Sequence, residues 1–108
     1  MGSTGAARGM RTSGNIPSLR FEASSLSLDE LRMAVLENFD VVSGVSSPLY
    51  GSTPFTGYTN GRGVIMDILM LADGKYSVRI GTIEMGFTNQ IEGLTERLAW
   101  EQIYNGLR

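Results

Sequence analysis

"GVIMDILMLADGKYSVRIGTIEMGF", residues 63–87, decides the fold of this 108-residue chain. Asp73-Gly74 is a favoured pair for a two-residue type I′ hairpin turn. That turn predicts pairing of Leu71 with Tyr76, Leu69 with Val78 and Asp67 with Ile80. The first arm is apolar at nearly every position, the pattern of a central strand buried on both faces. In the second arm Tyr76, Val78 and Ile80 share one face, whereas Ile83, Met85 and Phe87 share the other. One residue must be absorbed between them, so a β-bulge is expected at Gly81–Thr82. Asp67 is a carboxylate in an apolar strand, costly unless paired. The expected register points Arg79 to the opposite face, which leaves Asp67 to a hydrogen bond or to solvent. Glu84 reads as ordinary surface.

Outward from the hairpin, "LSLDELRMAVLENF" (26–39) carries a capping box in Ser27 and Glu30, preceded by a staple between Leu26 and Leu31. Leu28, Leu31, Val35 and Phe39 share one helical face and Met33 lies opposite, which predicts a helix over about 28–38. "IPSLRFEAS" (16–24) alternates weakly and reads as a short strand; Val41, Val42 and Val45 read as a second, limited by Gly44 and Pro48. At the far end, Asn89 with Glu92 repeats the capping-box spacing and starts an expected helix over 90–106. Its apolar residues fall into two seams. Ile91, Leu94 and Leu98 form the first, assigned to the protein's own sheet. Trp100, Ile103, Tyr104 and Leu107 form the second, rotated by roughly 150°. Trp and Tyr are enriched at interface hot spots, so the second seam is expected to meet a partner. The competing expectation places both seams inside the protein.

The order of elements predicts an α+β domain: a small antiparallel sheet of three to four strands, including the central hairpin 64–87, packed by two helices. Residues 1–15 read as a flexible leader and residues 16–108 as a single domain.

Composition narrows the chemistry. Hydrophobic residues make up 42% and charged residues 19%, enough apolar content for a core and too little charge for a disordered chain. The chain contains no cysteine and no histidine. Disulfides, thiolate metal sites and thiol nucleophiles are thereby removed, together with the commonest general base near neutral pH. No metal site, cofactor or catalytic set is expected. Neither a signal peptide nor an apolar run long enough for a membrane span is evident, so the expected partners exclude membrane. The net charge of −2 divides into +2 over residues 1–26, with Arg8, Arg11 and Arg20 against Glu22, and −4 over the remainder.

"YGSTPFTGYTNGRG" (50–63) holds four glycines and no periodic pattern. It lacks the phosphate-binding spacings of glycine, lysine and serine or threonine. It is read as a long connector, with Tyr58, Asn60 and Arg62 as candidates for contact with a partner or ligand.

The function expected from these features is non-enzymatic: a protein-protein binding or assembly subunit, in a homo-oligomer or a larger complex, the make-up of many small viral or phage particle components. One alternative is nucleic-acid contact through the mildly basic N-terminal arm. Another is a small-molecule-binding domain or enzyme with its site at the glycine-rich loop.

Overall fold

The computed structural model describes residues 17–45 and 55–108. Two helices, α1 (Leu28–Asn38) and α2 (Glu96–Leu107), pack on a five-stranded sheet of β1 (Asp40–Val45), β2 (Phe55–Thr59), β3 (Val64–Met70), β4 (Tyr76–Thr82) and β5 (Gly86–Leu94). Spatial order equals chain order and every neighbouring pair is antiparallel. The α+β class is as expected, and the sheet has five strands rather than three to four.

The apolar strand β3 is central, as its composition predicts. Its register with β4 differs from expectation by one residue: Met70 pairs with Tyr76, Ile68 with Val78, Met66 with Ile80 and Asp67 with Arg79. The turn is the reason. The Gly74 N–H donates to the Leu71 carbonyl and the Leu71 N–H to the Lys75 carbonyl, with Gly74 at φ 84°. This is a three-residue loop closed by a left-handed glycine rather than a two-residue type I′ turn. Asp73 contributes by accepting the Lys75 N–H on its carboxylate, 3.0 Å away. Slipping a strand by one residue exchanges its faces. Met66 and Ile68 therefore join Val78 and Ile80 on the helix side, and Asp67 joins Arg79 on the other.

Helix α1 follows its sequence signals. Glu30 N–H donates to Ser27 Oγ at 3.1 Å and Ser27 N–H donates to Glu30 Oε1 at 2.8 Å. Leu31 and Val35 are fully buried, Leu28 and Phe39 are packed partly buried against the core, and Met33 lies at the surface.

Three elements depart from expectation. The last helix begins at Glu96, capped by Thr95, whose hydroxyl accepts the Leu98 N–H at 3.1 Å. Residues 86–94, placed partly in that helix by the Asn89–Glu92 spacing, are strand β5 instead. A helix through this stretch would hold Gly93 in its interior, at about 1 kcal/mol relative to alanine. As a strand the same residues gain a ladder with β4. The bulge expected at Gly81–Thr82 is not found at that step, where the two residues pair regularly with Ile65 and Val64 and with Phe87 and Gly86; the β4–β5 register shifts fall at Tyr76/Val78 and Ile80/Gly81. What lies beyond Thr82 is a turn at 83–85 rather than a continuing strand. Residues 55–59, read as loop, form β2; residues 50–54 lie outside the described residues. Residues 17–24, read as a weak strand, instead hold a turn closed by Phe21 N–H on the Ser18 carbonyl and the start of a 3-10 turn over Ala23–Ser25.

The core lies between the helices and the sheet and is built from Leu31, Ala34, Val35, Met66, Val78, Ala99 and Ile103, among others. A second buried group occupies the face of the sheet turned away from the helices. There Asp67 and Arg79 form a paired, two-contact ion bridge, and the Arg79 guanidinium lies 4.5 Å from the centroid of the Phe87 ring. Neighbouring Ser77 is fully buried with its hydroxyl unpartnered.

Candidate protein-contact surface

The second seam of α2 is interior. Trp100 is 7% exposed, and Ile103, Tyr104 and Leu107 are at most 1% exposed. This corrects the expectation that these four residues meet a partner. With α2 starting at Glu96, the face carrying them is the one turned onto β3 and β4, so their apolar area is covered within the chain. Trp100 packs on Tyr58, ring centroids 6.0 Å apart and planes tilted by 51°. The first seam, assigned to the protein's own sheet, has the opposite fate: Ile91 and Leu98 lie at the surface and Leu94 is half-buried.

The three loop candidates are likewise occupied inside the fold. Tyr58 stands on β2 directly across from Met66 and faces the helices. Burial pushes its phenol above the ordinary tyrosine value. Asn60 and Arg62 lie in the β2–β3 turn and close the end of α2. Asn60 Nδ2 donates to the Leu107 carbonyl at 3.0 Å, and Arg62 donates to the Arg108 carbonyl at 2.9 Å. The last carbonyls of a helix lack intrahelical partners and carry the negative end of its dipole, so an amide and a guanidinium there satisfy both needs.

The remaining described arginines are engaged too. Arg32 bridges Asp29 and Glu96, Arg97 pairs with Glu101 and reaches the Ala23 and Leu26 carbonyls, and Arg108 holds the Leu19 and Phe21 carbonyls. Arg20 bonds back to Ser18. Arg8 and Arg11, the rest of the arm in the nucleic-acid expectation, lie outside the described residues. Among the described residues no three acidic side chains gather in a group able to hold a metal ion, and no helix is long and apolar enough to cross a membrane.

What the structure does present is a turn with an exposed apolar side chain on each side of the exposed Glu84. Thr82 pairs with Gly86, and the three residues between them form the β4–β5 turn. Ile83 at its start is 56% exposed and Met85 at its end 66%. Turns are normally built from Gly, Asn, Asp, Pro and Ser, whose backbone preferences suit them. Here the conformation is fixed from outside. Ile83 N–H donates to the Gly63 carbonyl of the β2–β3 turn at 3.0 Å, and Met85 N–H donates to Thr82 Oγ1 at 3.0 Å. Gly81 permits the return of the chain: a Cβ there would stand 1.8 Å from the Gly86 carbonyl oxygen. The result is two large apolar side chains held outward on a braced backbone. Sequence patterning assigned Ile83 and Met85 to one face of a strand with Phe87. The signal that separates them is the pair of glycines, Gly81 and Gly86, which bracket the reversal.

Comparison of the chain with protein-family models, with curated proteins and with solved structures gives no match.

Proposed function

We propose that this chain is a non-enzymatic protein-binding subunit that assembles through the β4–β5 turn, with copies of itself as the first partner. The observation carrying this reading is the exposure of Ile83 and Met85 on a turn whose backbone is fixed by hydrogen bonds to Gly63 and Thr82. Exposed apolar area is ordinary when scattered, but a turn tip is where a soluble surface most easily places polar residues. A braced backbone also lowers the ordering cost of association, because less conformational freedom remains to be lost on docking. Methionine at the tip adapts to an irregular partner surface.

The absence of histidine and cysteine agrees with a binding role. The test is sedimentation equilibrium over a wide concentration range, comparing the native chain with Ile83→Lys/Met85→Lys. Association that is weakened in the double variant while thermal stability is kept supports the reading; equal association of both chains removes the turn from it.

A further inference from the structure

The segment that precedes α1 is held in an unusual way. Residues 18–26 cross α2, and the bonds tying them to it run from side chains of α2 to backbone carbonyls of the segment. Tyr104 Oη donates to the Ser18 carbonyl at 3.1 Å and also to the Phe21 carbonyl. Arg108 donates to the Leu19 and Phe21 carbonyls at 3.1 and 2.7 Å. Arg97 donates to the Ala23 and Leu26 carbonyls at 2.9 and 2.7 Å. The three donors stand at positions 97, 104 and 108, spacings of seven and four that align on one face of a helix. They read the carbonyls of a folded stretch, a turn closed by Phe21 N–H on the Ser18 carbonyl at 3.3 Å and then the 3-10 turn, and take nothing from its side chains except the looser pair of Arg108 with Glu22 at 3.6 Å.

The apolar anchors of the segment are few. Ala23 and Leu26 are buried and Leu19 is partly so, whereas Phe21, its largest side chain, points outward. Ser27, where the segment meets α1, caps the helix through its own hydrogen bonds with Glu30. The attachment is therefore a removable strap on a stable hinge.

We infer that Arg97, Tyr104 and Arg108 form a docking row for the backbone carbonyls of this segment, and that the row exchanges its own residues 18–26 for the same segment of a second copy. Each contact of the closed form is remade between copies, so exchange needs no new surface, only the opening of the strap. This route to a dimer is independent of the β4–β5 turn.

The test uses the full chain. Hydrogen exchange should show amides of 18–26 opening about 100-fold faster than those of α2, since a locally held segment opens without the core. A synthetic peptide of residues 17–27 should displace the strap at millimolar concentration, the range of effective concentration set by a short tether. In two-dimensional NMR of the labelled chain it should shift the signals of Arg97, Arg108 and residues 18–26, leaving β3 and β4 in place. Equal amounts of isotope-labelled and unlabelled chain, concentrated together, should give dimers of intermediate mass by native mass spectrometry. In the Ile83→Lys/Met85→Lys background, where the turn no longer contributes, they should persist as dimers and grow no larger. Strap amides that exchange only with α2, a spectrum unmoved by the peptide, or mixed dimers lost with the turn substitutions would each overturn arm exchange.

Discussion

Asp67 and Arg79 face each other across β3 and β4 and join as a two-contact ion pair on the sheet face turned away from α1 and α2. Both side chains are almost wholly buried. The pair records the true register of the hairpin, because a two-residue turn at Asp73–Gly74 would have set Asp67 against Ile80. Taking two charges out of water is costly, and their attraction repays this only with good geometry.

Removing one partner of this pair should be far more damaging than removing both. Asp67→Ala is expected to lose about 3–5 kcal/mol by leaving the Arg79 charge buried and uncompensated. The double change Asp67→Leu/Arg79→Met should lose much less than the sum of the single changes. Urea denaturation of the four chains gives the coupling directly, and additive losses would mean that the pair is not a unit.

Alanine at two glycines should separate the braced turn from an ordinary one. Gly81→Ala places a methyl group against the Gly86 backbone, which cannot move without breaking the β4–β5 pairing, and is expected to cost about 3 kcal/mol or more. Gly61→Ala meets open space and should stay within about 0.5 kcal/mol of the native chain. Thermal denaturation distinguishes them; equal melting temperatures would refute the close approach at Gly81.

The start of α2 can be located by its cap. Thr95→Ala should cost about 1 kcal/mol, since the hydroxyl satisfies the Leu98 N–H. Asn89→Ala, at an exposed strand position, should change stability by no more than about 0.5 kcal/mol. The reverse ranking in chemical denaturation would restore the helix start at 90.

Alkaline pH should weaken the fold through Tyr58. Burial raises its pKa in the folded chain above that of the unfolded chain. The unfolded chain therefore gives up its proton first, near the ordinary tyrosine value of about 10. The stabilisation is complete below that value and is lost as pH climbs through the higher folded one. Tyr58→Phe should fall less steeply in melting temperature between pH 9 and 11 (roughly the range bracketing that ordinary value). Parallel pH profiles for the two chains would contradict this.

Much of the architecture was legible because local signals were strong and agreed. The Ser27–Glu30 box placed α1, and the apolar run Val64–Leu71 placed a central strand. Errors arose where one local signal had two physical solutions. Asp73–Gly74 suits both a two-residue turn and a three-residue loop ending in a left-handed glycine, and the ladder on either side, including the Asp67–Arg79 pair, agrees with the second. Asn89 and Thr95 are both competent caps, and pairing of residues 86–94 with β4 selected Thr95. Tyr58, Asn60 and Arg62 were read as a displayed set, yet the helix end and the Trp100 ring they serve lie more than 40 positions along the chain. Long-range partners of that kind leave no mark in local spacing. The same holds for the seam of Trp100 and Tyr104: its amphipathic pattern is real, but which surface covers it depends on where the helix begins.

Association through Ile83 and Met85 is tested most directly by sedimentation equilibrium of the native chain beside Ile83→Lys/Met85→Lys. The native chain is expected to shift from monomer toward species larger than a dimer as concentration rises, while the double variant goes no further than the arm-exchanged dimer, with an unchanged melting temperature. A native chain that remains monomeric throughout, or a variant that associates equally, would contradict assembly at this turn.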